Sequence, residues 1–168
     1  RLEEYLPDMP LRLVSLVRRE QGLIVAAGNP KGIHSLQDLV RSDVRFINRQ
    51  RGAGTRVLLD HHLAKLGISS DAVQGYGEEE YTHLGVAAAI ASGRADCGMG
   101  IPSAAHALGL GYVSLYHERY DFAIPLRHAE SPLLAPVFDL LQDNAFKQAV
   151  DRLPGYDTSV MGQVLRSK

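Results

Sequence analysis

Residues 44–66 place the strongest constraint on the fold. The apolar run Val44-Arg45-Phe46-Ile47 reads as a strand. It leads into Arg49-Gln50-Arg51-Gly52-Ala53-Gly54-Thr55-Arg56, after which Val57, Leu58, Leu59, Leu63 and Leu66 follow a helical pattern. A strand that ends in a basic turn and opens a helix leaves backbone N–H groups and the positive end of the helix dipole facing that turn. This suits an anion. Gly52 and Gly54 let the backbone adopt positive φ or come close to a ligand. Thr55 adds a hydroxyl near the first turn. Arg49, Arg51 and Arg56 add planar, permanently charged donors that match oxyanions. The same spacing also suits a tight strand–helix turn whose arginines are simply solvated. It is not a P-loop, having no Gly-Lys-Ser/Thr, and not a full GxGxxG.

Composition removes several function classes. The chain has 168 residues, enough for one domain or two small lobes, and a formal net charge of −1. No global field therefore points to nucleic acid or a membrane surface. The single cysteine, Cys97, excludes an internal disulfide and a thiolate-rich zinc site within this chain. No apolar run approaches the roughly 18–20 residues of a membrane span. With no signal peptide in view, a cytoplasmic location is expected, or a periplasmic one if a signal precedes Arg1.

Taken in order, residues 1–10 read as an irregular lead-in with Pro7 and Pro10. Leu11–Val17 reads as a strand, Arg18–Gly22 as a polar turn, and Leu23–Ala27 as a second strand. Gly28-Asn29-Pro30-Lys31-Gly32 is a breaker cluster, and Ser35 opens a short helix over 36–40. After the 54–66 helix, residues 72–76 read as a short strand and 77–83 as a second polar turn. A buried helix over 84–92 follows, with Gly93 as its C′ residue. Ala95–Ile101 is a small-residue strand and Pro102 opens a helix to Leu108. Two strands, 112–116 and 120–125, flank a turn at His117-Glu118-Arg119. A helix from Ser131-Pro132 to Leu141, another capped by Asp143 or Asn144, and a loop at 154–159 complete the chain. Strands and helices alternate over 23–116, the pattern of an α/β layer with a largely parallel sheet. The turns at 48–55, 77–83 and 100–103 should then share the carboxyl edge, where such sheets bind ligands.

Several stretches resemble a known family. They are Val17–Val25, Gly28-Asn29-Pro30, Asn48–Asp60, Gly75-Tyr76, Glu79–His83, Ala91–Asp96 and Glu118–Asp121. Together they resemble the periplasmic-binding-protein-like domain that accompanies molybdate-linked transcriptional regulators and molybdopterin-biosynthesis proteins. The resemblance implies a type II α/β fold of two lobes joined by crossover hinge strands, with the first lobe incomplete in this chain. On that basis residues 1–27 are the hinge or crossover lead-in and 28–116 the second α/β lobe. Residues 117–168 are the return crossover and helices packing on the first lobe. It further implies a non-catalytic ligand sensor that closes on a small oxyanion, molybdate or tungstate, in an interlobe cleft. The partner is a fused or associated DNA-binding module or a molybdenum-cofactor protein, and no cofactor is expected. The alternatives are a solute receptor of an ABC-type transporter and a binder of a pterin-like organic ligand. Carried over residue by residue, the ligand positions are Gly52, Ala53, Gly54 and Thr55 with the arginines around them, then Tyr81, Thr82 and His83. Molybdate binders place a tyrosine after the Ala-Asp-x-Gly strand, but here the sequence reads Gly98-Met99-Gly100-Ile101-Pro102; Tyr120 is the substitute expected from the crossover.

Other residues carry structural readings. Thr82 suits a helix cap as well as a ligand contact. At least two of Glu78, Glu79 and Glu80 should point away from an anion. His61 and His62 are adjacent, about 100° apart on a helix, and poorly placed to chelate one metal. Cys97 reads as a buried structural thiol and Asp96 as a turn-fixing carboxylate. Arg18 and Arg19 should pair with Glu20 or with the anion. No nucleophile–base set, carboxylate pair or metal cluster stands out, so an enzyme is not expected.

Overall fold

The computed structural model describes residues 9–167. The irregular lead-in expected over residues 1–10 therefore lies outside the described residues as far as residue 8. The chain forms two compact units. The larger is Glu20–His117; the smaller joins the described residues up to Arg19 with those from Glu118 onward.

In the larger unit, β2 (Phe46–Arg49) lies between β3 (Glu79–Glu80) and β4 (Cys97–Gly100), and both neighbours run parallel to it. The registers pair Asn48 with Glu79 and Phe46 with Cys97. Beyond β4 come β1 (Leu11–Val25) and then β5 (Gly111–Pro125). β1 is antiparallel to β4, with Gly22 opposite Gly100 and Val25 opposite Cys97. Each parallel strand is followed by a helix: α1 (Gly54–Lys65), α2 (His83–Ala91) and α3 (Pro102–Ala107). Leu59 and Leu63 of α1 are buried in a core with Leu23, Val25, Phe46 and Met99. In α2, Val86, Ala87, Ala89 and Ile90 are buried. Gly98 lets α2 come close, since a Cβ there would lie 2.5 Å from Val86 Cγ1. Ser35 opens a 3-10 turn, Leu36–Val40, whose Asp38 carboxylate accepts from the His34 and Ser35 N–H groups. Those bonds hold that carboxyl below its ordinary value.

In the smaller unit the first part of β1 pairs antiparallel with β6 (Tyr156–Asp157) and β7 (Val164–Ser167). Three helices complete it: α4 (Leu126–Ala129), α5 (Ala135–Gln142) and α6 (Asn144–Asp151). Asp143 caps α6 by accepting from the Phe146 N–H at 2.7 Å. Val14, Leu141 and Met161 form its buried centre.

Five expectations are corrected. Residues 18–22 are not a turn: β1 runs unbroken from Leu11 to Val25. Its polar middle is satisfied by distant partners, Arg19 pairing with Glu118 at 2.5 Å rather than with Glu20, and Gln21 with Thr55. Residues 117–119 likewise continue β5, with Glu118 supplying half of that ion pair. Residues 72–76 are not a strand. A 3-10 turn ends at Ala72, and Gly75 then takes φ +90° with its Cα against the Phe46 carbonyl, where a Cβ would stand 2.0 Å from the oxygen. The strand is displaced to Glu79–Glu80. At the other end, the loop expected over 154–159 contributes β6, and the helix expected from Ser131 begins at Ala135.

Candidate functional site

Because β3, β2 and β4 are parallel, their carboxyl ends and the helices that follow lie on one edge of the larger unit. The central turn is Gln50–Ala53. It is closed by the Ala53 N–H donating to the Gln50 carbonyl at 3.2 Å. Gly52 sits at φ +86° with open space where a side chain would be. Ala53 is the N-cap of α1 in extended geometry, with φ −65° and ψ 136°, and it supplies no side-chain cap. Helices favour Ser, Thr, Asp or Asn there, so the first-turn N–H groups of α1 have no acceptor from their own cap.

The side chains of that first turn face inward. Thr55 is 2% exposed, and its hydroxyl donates to Gln21 Oε1 at 2.8 Å. Arg56 is 5% exposed. Its guanidinium donates to the Arg49 carbonyl at 3.0 Å and to Glu79 Oε1 at 2.9 Å, and stands over the Tyr76 ring at 4.3 Å. The Tyr76 hydroxyl donates in turn to Asp60 at 2.5 Å. Burial opposes the charge on Arg56, but the bonds to Tyr76 and Glu79 outweigh it and raise its pKa. Burial and the Asp60 bond likewise raise Tyr76. Thr55 and Arg56 therefore fasten the helix start, and what they present outward is backbone. Arg51 and Gly52 are exposed on the turn; Arg49 is half-buried and donates from Nη2 to the Tyr81 carbonyl at 3.2 Å.

The second turn is bound to the first by the Gln50 N–H donating to the Glu80 carbonyl and by Asn48 Nδ2 donating to the Tyr76 carbonyl. Thr82 caps α2, its hydroxyl accepting from the Gly85 N–H at 2.8 Å. Tyr81 is 73% exposed. His83 lies over the end of β4, its Nδ1 3.5 Å from where a Gly100 Cβ would stand. Glu79 is held by Arg56, and Glu80 forms an ion pair with Arg94, so two of the three acidic residues are neutralised within the fold. Tyr120 belongs to the smaller unit, where the Arg19 guanidinium stands 4.4 Å from its ring centre. The structure thus brings residues 49–56 and 81–83 together on one edge. Gln21 and Arg94 are the participants that residue patterns did not single out. Gln21 lies in the polar stretch Arg18–Gly22, which reads as a turn, so nothing local marked it.

The remaining candidates are structural. Cys97 is fully buried, and burial pushes its thiol well above the ordinary range. Asp96 accepts from the Arg45 N–H at 2.7 Å and pairs with Lys31 at 3.0 Å. His62 stacks on Tyr116 at 3.7 Å with the rings 7° from parallel. No helix among the described residues is long and apolar enough to cross a membrane.

Comparison with known proteins agrees with this architecture. The chain is 37% identical over 164 residues to the uncharacterized protein YvgK of Bacillus subtilis (strain 168), covering 98% of this chain and 53% of that protein. It thus spans about half the length of that relative. Among solved structures, it resembles a substrate-binding domain assigned to a molybdenum ABC transporter of Clostridium difficile, with TM-score 0.60 and 16% identity over 93% of this chain and 70% of that one. It also resembles the ancestral amino acid-binding protein AncCDT-1, with TM-score 0.58 and 18% identity over 86% and 62%. These likenesses show the fold of type II periplasmic binding proteins. Residues 1–142 match the description "PBP superfamily domain", and the chain belongs to that superfamily.

Proposed function

We propose that this chain is a ligand-sensing domain that binds a small oxyanion, molybdate or tungstate, at the start of α1. The observation that supports it most is the contrast between the two helix starts on the edge. α2 has its cap in Thr82, whereas α1 has alanine at its N-cap between Arg51 and an inward-turned first turn. A tetrahedral oxyanion would take the place of the absent cap, accepting from the N–H groups of residues 54–56 and from Arg51. Arg49 and the exposed Tyr81 border the same place. Neutralisation of Glu79 and Glu80 by Arg56 and Arg94 removes the repulsion that an anion would otherwise meet. On this reading, occupancy is read out by another part of the whole protein, a regulator or a molybdenum-cofactor module.

A second reading is a receptor that delivers its solute to a transporter, favoured by the likeness to the molybdenum-transporter domain. An organic carboxylate would use the same N–H groups, with Tyr81 against its body. The likeness to an amino acid-binding protein favours that ligand.

Titration calorimetry with molybdate, tungstate, sulfate and a panel of amino acids tests both. Arg51→Ala should weaken oxyanion binding about tenfold, the low end for a lost charge-assisted hydrogen bond. Ala53→Asp places a carboxylate at the N-cap. It should abolish oxyanion binding while stabilising the helix by about 0.5–2 kcal/mol. Molybdate or tungstate bound unchanged by Ala53→Asp would refute the site.

A further inference from the structure

We propose that Gln21 is the positioning residue of the α1 turn: it holds Thr55 so that the first-turn N–H groups keep a fixed aim at the ligand. This rests on the oxyanion reading above. Gln21 is fully buried in β1, and its Oε1 accepts the Thr55 hydroxyl at 2.8 Å. A buried hydroxyl left without an acceptor is costly, so the pair holds together.

Gln21 stands on a strand packed from both sides. Its neighbour Gly22 pairs with Gly100 of β4 on one side. On the other, a Cβ at Gly22 would lie 2.0 Å from the Val113 carbonyl oxygen and 2.9 Å from the Tyr112 hydroxyl oxygen. β1 is therefore clamped between β4 and β5, and the acceptor cannot slide. Leu23 and Ile24, both fully buried, continue the clamp.

Thr55 is the second residue of α1 and Arg56 the third. The hydroxyl sits one carbon from the main chain, so holding it by a hydrogen bond restrains the backbone to which it is attached. Arg56 ties the next residue to Arg49 and Glu79. The start of α1 is thus fastened toward β1 by Gln21 and toward β2 and β3 by Arg56. A helix lacking a cap normally frays at this point. Here two inward side chains do the holding, which leaves the outward N–H groups ordered before any ligand arrives and lowers the cost of binding.

The test compares Gln21→Met, which keeps the length but loses the acceptor, with Thr55→Val, Thr55→Ser and the Gln21→Met/Thr55→Val double variant. Amide hydrogen exchange without anion reports the order of residues 54–56, and exchange at Leu59 and Leu63 controls for the fold. Calorimetry with molybdate and tungstate reports affinity. Gln21→Met and Thr55→Val should each speed exchange at 54–56 alone and weaken binding about tenfold, the low end for a supporting partner behind a ligand shell. The double variant should be no worse than either single one, and Thr55→Ser should remain near the parent. Unchanged affinity in Gln21→Met, or additive losses in the double variant, overturns the proposal. A parent protein that binds none of the anions sinks the oxyanion reading. If the exchange coupling persists in that case, Gln21 is a structural residue only, and the positioning role falls with the ligand.

Discussion

The two units differ in how well they cover their own apolar residues. In the larger unit Leu23, Val25, Leu36, Leu39, Phe46, Leu59 and Met99 form one continuous buried cluster, with helices packed on the sheet that carries the turns. In the smaller unit the buried centre is Val14, Leu141 and Met161, joined by partly buried Leu16, Ile124, Phe138, Phe146 and Val150. Meanwhile Leu133 is 88% exposed, and Val137 and Leu140, one turn apart on α5, are 40% and 46% exposed. The first arrangement gives a rigid support for a ligand-facing edge. The second has a thin core and should open more readily, since local stability follows buried apolar contact. The candidate site accordingly stands on the better-packed unit, as a preorganised site needs.

The largest effects should come from the two cores. Phe46→Ala removes a 2% exposed ring on the strand paired with β4 and should cost about 3–5 kcal/mol. Leu141→Ala, in a core with more room to collapse, should cost about 2–3 kcal/mol, near the lower end for such changes. Urea unfolding followed by hydrogen exchange measures both. Equal losses would break the comparison. Next comes Gly22→Ala. Its added methyl meets backbone, not a flexible side chain, and should cost about 1–3 kcal/mol or more, read from the same unfolding curves.

Acid should sharpen the contrast by a smaller amount. Burial raises Asp96, but the Arg45 N–H, Lys31 and the Arg45 side chain outweigh it and hold the carboxyl below its ordinary 3.8. In the smaller unit Asp157 is lowered chiefly by the Ser159 N–H. A carboxyl depressed in the folded state contributes stability above its unfolded value and loses that contribution as pH falls through the folded one. Melting temperature should therefore hold down to about pH 4 and fall below it. Asp96→Asn should flatten that fall more than Asp157→Asn, because the Asp96 side chain is only 14% exposed and has three partners. Equal flattening would mean that the buried knot adds nothing over the exposed turn.

Local signals made much of the larger unit legible. The strand–turn–helix at 46–65, the alanine-rich α2 with Gly93 after it, and Pro102 at the start of α3 are each written in neighbouring residues. What failed depends on partners far along the chain. Arg18–Gly22 looks like a turn because its polar groups have no local use; Arg19 finds Glu118, 99 residues away. Thr55 and Arg56 looked outward for the same reason, because Gln21 is 34 residues from Thr55 and Glu79 is 23 residues from Arg56. β6 and β7 exist through pairing with β1 at the other end of the sequence, and neither carries an apolar alternation that would announce it. The turn itself was readable at 49–56, but the direction of its side chains was not.

The smallest expected effect bears most directly on the comparison. Leu133→Ser replaces a side chain that the fold leaves in solvent, so thermal unfolding should move by no more than about 0.5 kcal/mol in either direction. Phe138→Ser, on the neighbouring helix but packed against the small core, should cost several times that amount, because it both loses apolar burial and desolvates a hydroxyl. The pair separates two origins for a thin core. If Leu133→Ser is neutral and Phe138→Ser is costly, the smaller unit draws its stability from the inner side chains alone, and its solvent-facing leucines are idle. If Leu133→Ser costs as much as Phe138→Ser, Leu133 is covered in solution, and the contrast between the units would then belong to the isolated chain rather than to the protein at work.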